Sequence, residues 1–188
     1  SSKIFLVTSP TNQLIEQLKF QEIFKSEKLA FLPDAIINMK IFLKKNNIND
    51  LTNKNLINDN YFIAAGRLTK QKNFEYLINE FTEFYKLNKN YNLLIFGKGE
   101  LKNKLISLIK TKGLKNIIHL MGHKENLYYY MRKSEAFILS SLWEDPGFVL
   151  VEAGYNGCPV ISSDCPNGPL EIVGDDGGYL FESNSRSS

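Results

Sequence analysis

A pair of glutamates, Glu144 and Glu152, carries the strongest chemical signal in the sequence. Glu144 lies in a predicted loop after a buried strand, and seven residues separate it from Glu152. The loop opens a predicted helix whose first N–H groups, at Gly147, Phe148 and Val149, point outward and can bind a phosphate. Glu152 lies inside that apolar helix, where a carboxylate is costly to bury unless it meets hydrogen-bond donors. A ribose diol supplies two such donors.

A second candidate site follows the strand predicted at 61–65. Gly66 lacks a side chain where the chain leaves this strand, so backbone and ligand can approach closely. Arg67 and Lys72 place two cations beside the amino end of a predicted helix, which itself carries a partial positive charge. A diphosphate would satisfy this arrangement, although the segment alone favours a solvated basic turn. Only three arginines occur among the 23 basic residues, so each one is informative.

A third segment, Gly97-Lys98-Gly99-Glu100, permits a tight turn after the next strand. A simple turn explains it best, because no third glycine completes a GxGxxG motif. A Rossmann dehydrogenase needs that motif after its first strand and an acidic residue about 20 residues later. Residues 66–72 supply neither feature, so the sequence disfavours a dehydrogenase.

Hydrolysis by the two glutamates is a further alternative. Glycosidase carboxylates lie roughly 5–9.5 Å apart, depending on whether the enzyme retains or inverts. A mostly helical separation, at about 1.5 Å of rise per residue, places Glu144 and Glu152 roughly 10–12 Å apart. The spacing therefore suits two ends of one extended ligand better than a hydrolase.

Short apolar runs alternate with amphipathic stretches from residue 61 onward. The predicted strands are 61–65, 93–96, 117–120, 136–139, 160–162 and 179–181. The predicted helices are 74–87, 100–112, 125–133 and 148–156. This alternation predicts an α/β fold, a Rossmann-like parallel sheet with helices on both faces. Ligands of such sheets bind beyond the carboxyl ends of the strands.

The first 60 residues follow a different pattern. They hold a predicted strand at 3–8, a helix at 12–25 and an extended piece at 29–33, and then an Asn- and Asp-rich stretch at 46–60 that is typical of a linker. So few elements cannot bury a core of their own. We predict three parts, with 1–60 as the end of a preceding domain plus a connector, 61–182 as the ligand-binding domain and 183–188 as a frayed polar tail.

Composition argues against several other functions. The net charge of +3 is small and the basic residues are spread along the chain, so nucleic-acid binding is not expected. No apolar run approaches the roughly 18 residues that a membrane-spanning helix needs. The two cysteines lack CxxC spacing, and His119 and His123 bracket a predicted strand end, so no metal site is predicted.

Taken together, these segments resemble the retaining glycosyltransferases of family 4 (glycosyl transferases group 1), which have the GT-B fold. The most specific match is Glu144 and Glu152 within Glu-Asp-Pro-Gly-Phe-Val-Leu-Val-Glu-Ala. Supporting matches, in the same order and spacing, are Gly66-Arg67-Leu68 with Lys72, Gly97-Lys98-Gly99-Glu100 and Gly157-Cys158-Pro159-Val160-Ile161. The resemblance covers about residues 61–181 and identifies them with the carboxy-terminal, donor-binding half of such an enzyme.

The resemblance implies a role for each candidate residue. Arg67 and Lys72 would neutralise the donor diphosphate and stabilise the departing nucleoside diphosphate, so neither a metal nor another cofactor is expected. The N–H groups of Gly147–Val149 would hold the distal phosphate. Glu152 would bind the ribose hydroxyls, and Glu144, the catalytic candidate, would contact the donor sugar.

The resemblance also implies a reaction. A UDP- or GDP-type sugar donor would be bound for retaining transfer to a glycan or lipid-linked acceptor, which an amino-terminal domain would hold. Residues 1–30 would be the end of that domain, and 122–127 would border the base of the donor. We expect the 188-residue chain alone to bind nucleotide weakly and to transfer little or no sugar.

The expected setting is bacterial polysaccharide or lipid-linked glycan synthesis in the cytoplasm, with the full-length protein peripherally associated with the inner face of the cell membrane. The alternative is a non-catalytic nucleotide-sugar-binding or regulatory module that shares the cleft. Asp145 and Pro146 depart from the Glu-Gly-Phe-Gly that these enzymes often have. Because Asp145 adds a negative charge near the sugar, the sugar's identity is not carried over.

Overall fold

The computed structural model describes residues 6–22, 24–32 and 60–183. The predicted linker at 46–60 and the predicted tail at 183–188 therefore lie almost entirely outside the described residues, as does the first half of the strand predicted at 3–8. Within the described part, no helix is long and apolar enough to cross a bilayer.

The strands and helices follow one another in the order that the sequence pattern predicts. The strands are β1 (Val7–Ser9), β2 (Leu29–Phe31), β3 (Tyr61–Ala65), β4 (Asn92–Phe96), β5 (Ile118–Gly122), β6 (Ala136–Leu139), β7 (Val160–Ser163) and β8 (Tyr179–Phe181). The helices are α1 (Asn12–Phe20), α2 (Phe74–Leu87), α3 (Lys102–Thr111), α4 (Leu127–Met131), α5 (Val149–Tyr155) and α6 (Pro169–Val173). Short 3₁₀ turns cover Ser26–Lys28 and Lys70–Lys72.

Six strands form one parallel sheet in the order β5-β4-β3-β6-β7-β8. The chain runs outward from β3 to β5 and then returns to place β6 on the other side of β3. This reversal creates a switch point between β3 and β6, where the loops leaving the two strands diverge. The structure confirms the predicted α/β, Rossmann-like architecture with helices on both faces.

Alternating side chains of the central strands pack into two separate hydrophobic cores, one on each face of the sheet. On one face, Ala64, Leu93 and Ile95 pack against α2 and α3. On the other, Ile63 and Leu94 pack in a second core with residues of α4, α5 and α6. Both faces of β3 and β4 are therefore apolar, which is why these strands read as continuous hydrophobic runs in the sequence.

Sequence periodicity predicts the element ends well between 61 and 181. Every predicted strand and helix there is present, with each end within two residues of the observed one. The predictions missed α6 and the 3₁₀ turn at Lys70–Lys72. The helix predicted at 12–25 is too long, because α1 ends at Phe20 and Glu22 has a φ of 52°, outside the helical range.

The amino-terminal segment contacts the large sheet domain through α1. β1 and β2 pair in parallel, and Thr11 caps α1 by accepting the Leu14 N–H at 3.3 Å. The N–H groups of Asn12 and Gln13 donate to the Glu171 carboxylate of α6 at 3.0 and 2.9 Å. A carboxylate of the sheet domain thus accepts hydrogen bonds from N–H groups at the start of α1, which have no partner within the helix.

The loops that leave β3 and β4 pack against each other so closely that a side chain at either of two glycines would clash with the neighbouring backbone. Gly97 has a φ of 141°, and a Cβ there would lie 1.8 Å from the Gly66 carbonyl oxygen. A Cβ at Gly99 would lie 2.4 Å from the Leu68 carbonyl oxygen. The glycines at 97 and 99 are therefore required by loop packing, whether or not a ligand approaches them.

We expect Gly97→Ala to destabilise the fold by at least about 2 kcal/mol, since it combines an unfavourable φ with a backbone clash. Gly154→Ala is the control, because a Cβ at this site in α5 meets nothing within 4 Å. It should be neutral or stabilise the helix by up to about 1 kcal/mol. Urea unfolding of both variants measures the difference, and equal midpoints would contradict the crowding.

Candidate functional site

A cleft of about 500 Å³ opens at the carboxyl ends of β3 and β4 and along the loop after β5. The residues that line it are Ala65, Gly66, Arg67, Phe96, Gly97, Lys98, His123, Lys124, Glu125 and Leu127. Hydrogen bonds that continue the sheet build its floor: the N–H groups of Gly66 and Gly97 donate to the carbonyls of Phe96 and Gly122 at 2.9 and 2.8 Å. The position agrees with the rule for ligand sites in parallel sheets.

The cleft wall is rich in positive charge. Arg67, Lys98 and Lys124 contribute three cations, and Glu125 contributes one carboxylate. Arg67 and Lys98 are exposed at the mouth. Such a wall is complementary to a polyanion of small size, and phosphate groups fit that description.

The structure divides the residues predicted to bind donor into two groups. Gly66 and Arg67 line the cleft, as does most of the segment 122–127, for which the resemblance implies a place beside the base. Lys72, Glu144 and Glu152 are not among the lining residues, nor are Gly147, Phe148 and Val149. Lys72 nevertheless packs against Gly66 of the cleft wall, and Glu152 contacts Tyr128, the residue that follows the cleft residue Leu127.

Lys72 connects to the cleft through Gly66. A Cβ on Gly66 would lie 3.0 Å from Cε of Lys72, so the glycine makes room for the lysine stem. The lysine Nζ then lies 2.5 Å from Oε1 of Glu144. The side chains are only 12% and 4% exposed, so this is a buried ion pair that joins the loops after β3 and β6.

Glu144 is held by further contacts around the ion pair. The Ser141 hydroxyl donates to the same carboxylate oxygen, and the Glu144 N–H donates to the Pro166 carbonyl at 3.0 Å. Gly147 has a φ of 88°, and a Cβ there would lie 3.2 Å from Cγ of Glu144. Burial raises the pKa of the nearby Cys165 thiol to about 11, and the Glu144 charge adds to that rise.

Glu152 lies in the first turn of α5 and connects to the cleft through Tyr128. The Tyr128 hydroxyl donates to Oε1 of Glu152 at 2.6 Å, and Tyr128 follows the cleft residue Leu127 directly. Burial, the hydrogen bond and the negative charge of Glu152 together hold the pKa of Tyr128 well above its usual value. The phenol therefore stays protonated as a donor to the carboxylate.

Comparison with known proteins shows the family of this chain. Residues 47–188 match the family model described as glycosyl transferases group 1, which is more than half of the chain. The chain belongs to the glycosyl transferases group 1 family.

Named relatives agree with this assignment. An uncharacterized glycosyltransferase of Methanocaldococcus jannaschii is 34% identical over 171 residues, which cover 90% of this chain and 42% of the relative. The N-acetylgalactosamine-N,N'-diacetylbacillosaminyl-diphospho-undecaprenol 4-alpha-N-acetylgalactosaminyltransferase of Campylobacter jejuni is 35% identical over 133 residues, covering 70% of this chain and 36% of the enzyme. The chain thus spans less than half the length of these relatives.

Solved glycosyltransferase structures share the fold. TarM of S. aureus superposes with a TM-score of 0.80 at 20% identity, over 99% of this chain and 35% of TarM. The pneumococcal O-GlcNAc transferase GtfA, solved with UDP and GlcNAc, gives a TM-score of 0.75 at 25% identity, over 100% of this chain and 36% of GtfA. This chain therefore has the parallel-sheet domain found in GT-B glycosyltransferases.

Three residues that contact the predicted site residues were not themselves predicted from the sequence, namely Gln71, Tyr128 and Ser141. The side chains of Tyr128 and Ser141 contact the predicted glutamates, and Gln71 contacts Arg67. Ser141 is three residues before Glu144, a local spacing that could have suggested the contact. Tyr128 and Glu152 are 24 residues apart in different elements, so only the folded chain brings them together.

The ion pair at the centre of the site allows a direct stability test. Lys72→Met should destabilise the chain by about 3–5 kcal/mol, because it leaves Glu144 buried without a cation. The double variant Lys72→Met/Glu144→Gln should recover most of that loss. Lys104→Met is the matched control: it removes a surface pair with Glu75 whose side chains are 64% and 36% exposed, and should cost at most about 1 kcal/mol.

Unfolding in urea at neutral pH compares the three variants with the parent chain. If Lys72→Met lost no more stability than Lys104→Met, the pair between Lys72 and Glu144 would not behave as a buried ion pair.

Proposed function

We propose that this chain carries the donor site of a retaining glycosyltransferase of family 4, and that the donor is a UDP- or GDP-type sugar. The observation that carries the proposal is the basic cleft at the carboxyl ends of β3 and β4, with the Lys72–Glu144 pair directly behind Gly66. Membership of the group 1 family supports the reaction class. The solved GtfA structure with UDP and GlcNAc supports the donor class.

In this proposal the diphosphate lies against Arg67 at the cleft wall and reaches toward Lys72. Lys98 lies at the same wall and adds positive charge. The N–H groups of Gly147, Phe148 and Val149, at the start of α5, hold the distal phosphate. Fixed cations balance the charge on the departing diphosphate, so the scheme uses no metal and no other cofactor.

Glu144 and Glu152 act at opposite ends of the donor. Glu152 accepts the ribose hydroxyls while Tyr128 orients its carboxylate. Glu144 contacts the sugar, held in place by Lys72 and Ser141. Transfer occurs on the front face of the sugar, so that Glu144 stabilises and positions the sugar without forming a bond to it.

The acceptor would be a glycan or a lipid-linked sugar, bound by an amino-terminal domain of a longer protein. The Campylobacter jejuni relative carries a diphospho-undecaprenol acceptor in its name, which supports a lipid-linked class. A lipid-linked acceptor would place the protein in the cytoplasm at the inner face of the cell membrane. By itself, the 188-residue chain should bind nucleotide weakly and should transfer little or no sugar.

Calorimetric titration with UDP, GDP, uridine and guanosine tests the donor site. One nucleoside diphosphate should bind more tightly than its nucleoside. Arg67→Ala should weaken that diphosphate by about 10- to 100-fold, the effect of a lost charge-assisted hydrogen bond, and leave the nucleoside nearly unchanged.

The control is Arg132→Ala, which removes an exposed arginine at the end of α4 that does not line the cleft. It should leave both affinities unchanged. Equal losses of diphosphate and nucleoside affinity in Arg67→Ala would assign Arg67 to folding instead, and tighter binding of NAD than of either diphosphate would contradict the donor class.

Glu152→Gln should weaken nucleoside and nucleoside diphosphate alike, by about 1–3 kcal/mol, because both ligands carry the ribose. Tyr128→Phe should have a smaller effect in the same direction, since it leaves the carboxylate in place but releases its orientation. The same titrations measure both. Unchanged affinities in Glu152→Gln would remove Glu152 from the site.

A further inference from the structure

Gln71 contacts both loops that border the switch point. Its backbone carbonyl accepts the Leu142 N–H at 2.8 Å, and its side-chain Nε2 donates to the Trp143 carbonyl at 2.9 Å. Its Oε1 accepts from Nη2 of Arg67 at 3.3 Å. One amide side chain therefore links the cleft arginine to the backbone that precedes Glu144.

The 3₁₀ turn at Lys70–Lys72 gives Gln71 this position. Within the turn, Lys70 is exposed, and the side chain of Lys72 reaches the buried carboxylate of Glu144. Gln71 lies between them and four residues after Arg67, so its side chain meets the guanidinium at the edge of the cleft. The anchor on the Trp143 carbonyl fixes the amide, which leaves its oxygen facing the arginine.

We infer that Gln71 is a positioning residue for the donor diphosphate: it holds the Arg67 guanidinium at the cleft before the ligand arrives. This inference rests on the proposed function. A long, exposed arginine loses rotamer freedom when it binds, and a partner that restrains it beforehand lowers that loss. Because the same amide is fixed to the loop before Glu144, diphosphate binding at Arg67 is linked mechanically to the sugar end of the site.

An amide suits this role better than a carboxylate does. Glutamine both donates and accepts, so it can bond the Trp143 carbonyl and the guanidinium together. A glutamate at 71 could pair with Arg67 but could not donate to the carbonyl, and its charge would compete with the diphosphate for the arginine. The two substitutions Gln71→Ala and Gln71→Glu therefore have different expected effects.

A double-mutant cycle with the 188-residue chain tests the inference. The ligands are the nucleoside diphosphate that the parent chain binds and the matching nucleoside. Gln71→Ala should weaken diphosphate binding by roughly three- to tenfold and leave nucleoside binding unchanged. Gln71→Glu should weaken the diphosphate more than Gln71→Ala does. In the Arg67→Ala background, Gln71→Ala should cause no further loss, because the residue acts through Arg67.

Gln17→Ala on the exposed side of α1 is the control and should leave every affinity unchanged. A loss of nucleoside affinity equal to the diphosphate loss, or a full additional loss in the Arg67→Ala background, would show that Gln71 only fastens the loops and would overturn the inference. So would an unchanged diphosphate affinity in Gln71→Ala. A parent chain that binds no nucleoside diphosphate would contradict the proposed function itself, and this inference with it.

Discussion

The buried pair between Lys72 and Glu144 is the interaction on which the geometry of the site depends. Neither charge is tolerable in that position without the other, since a buried ion needs a close partner to offset its lost hydration. The pair therefore holds the loop after β3 to the loop after β6, across the switch point of the sheet. In the proposed donor site, a diphosphate that reached Lys72 would share the ammonium with Glu144, so that anion binding would be coupled to the surroundings of this carboxylate.

Backbone crowding gives the same loops their rigidity. On one side the Gly66 carbonyl lies where a side chain at Gly97 would be, and on the other the Pro146 carbonyl lies 2.0 Å from a would-be Cβ of Gly168. Each glycine allows one strand-end loop to rest on the next. The part of the cleft wall that Gly66 and Gly97 form is thus set by packed backbone. Hydrogen-bond donors that are already held in place bind a ligand more tightly than mobile ones do, because less conformational entropy is lost on binding.

Periodicity predicts the sheet because the burial of β3 and β4 on both faces and the stripe on α2 are properties of neighbouring residues. The helix α6 was not predicted because Pro169 is typical of a loop in the sequence, and only the fold shows that it stands at the start of a helix. At the site, motif spacing predicted Arg67 at the cleft. It predicted neither the ion pair between Lys72 and Glu144 nor the contact of Glu152 with Tyr128, because each contact joins residues that are distant in sequence.

The two kinds of charge in the site make different contributions. Arg67 and Lys98 face water, where an ionic contact is screened and contributes little until a ligand excludes solvent. Their number alone cannot distinguish a diphosphate from any other small anion. Lys72 and Glu144 are buried, so their positions are fixed and their field is strong. The buried pair therefore keeps its geometry whether or not a ligand is present, whereas the exposed cations gain strength only when solvent is excluded from them.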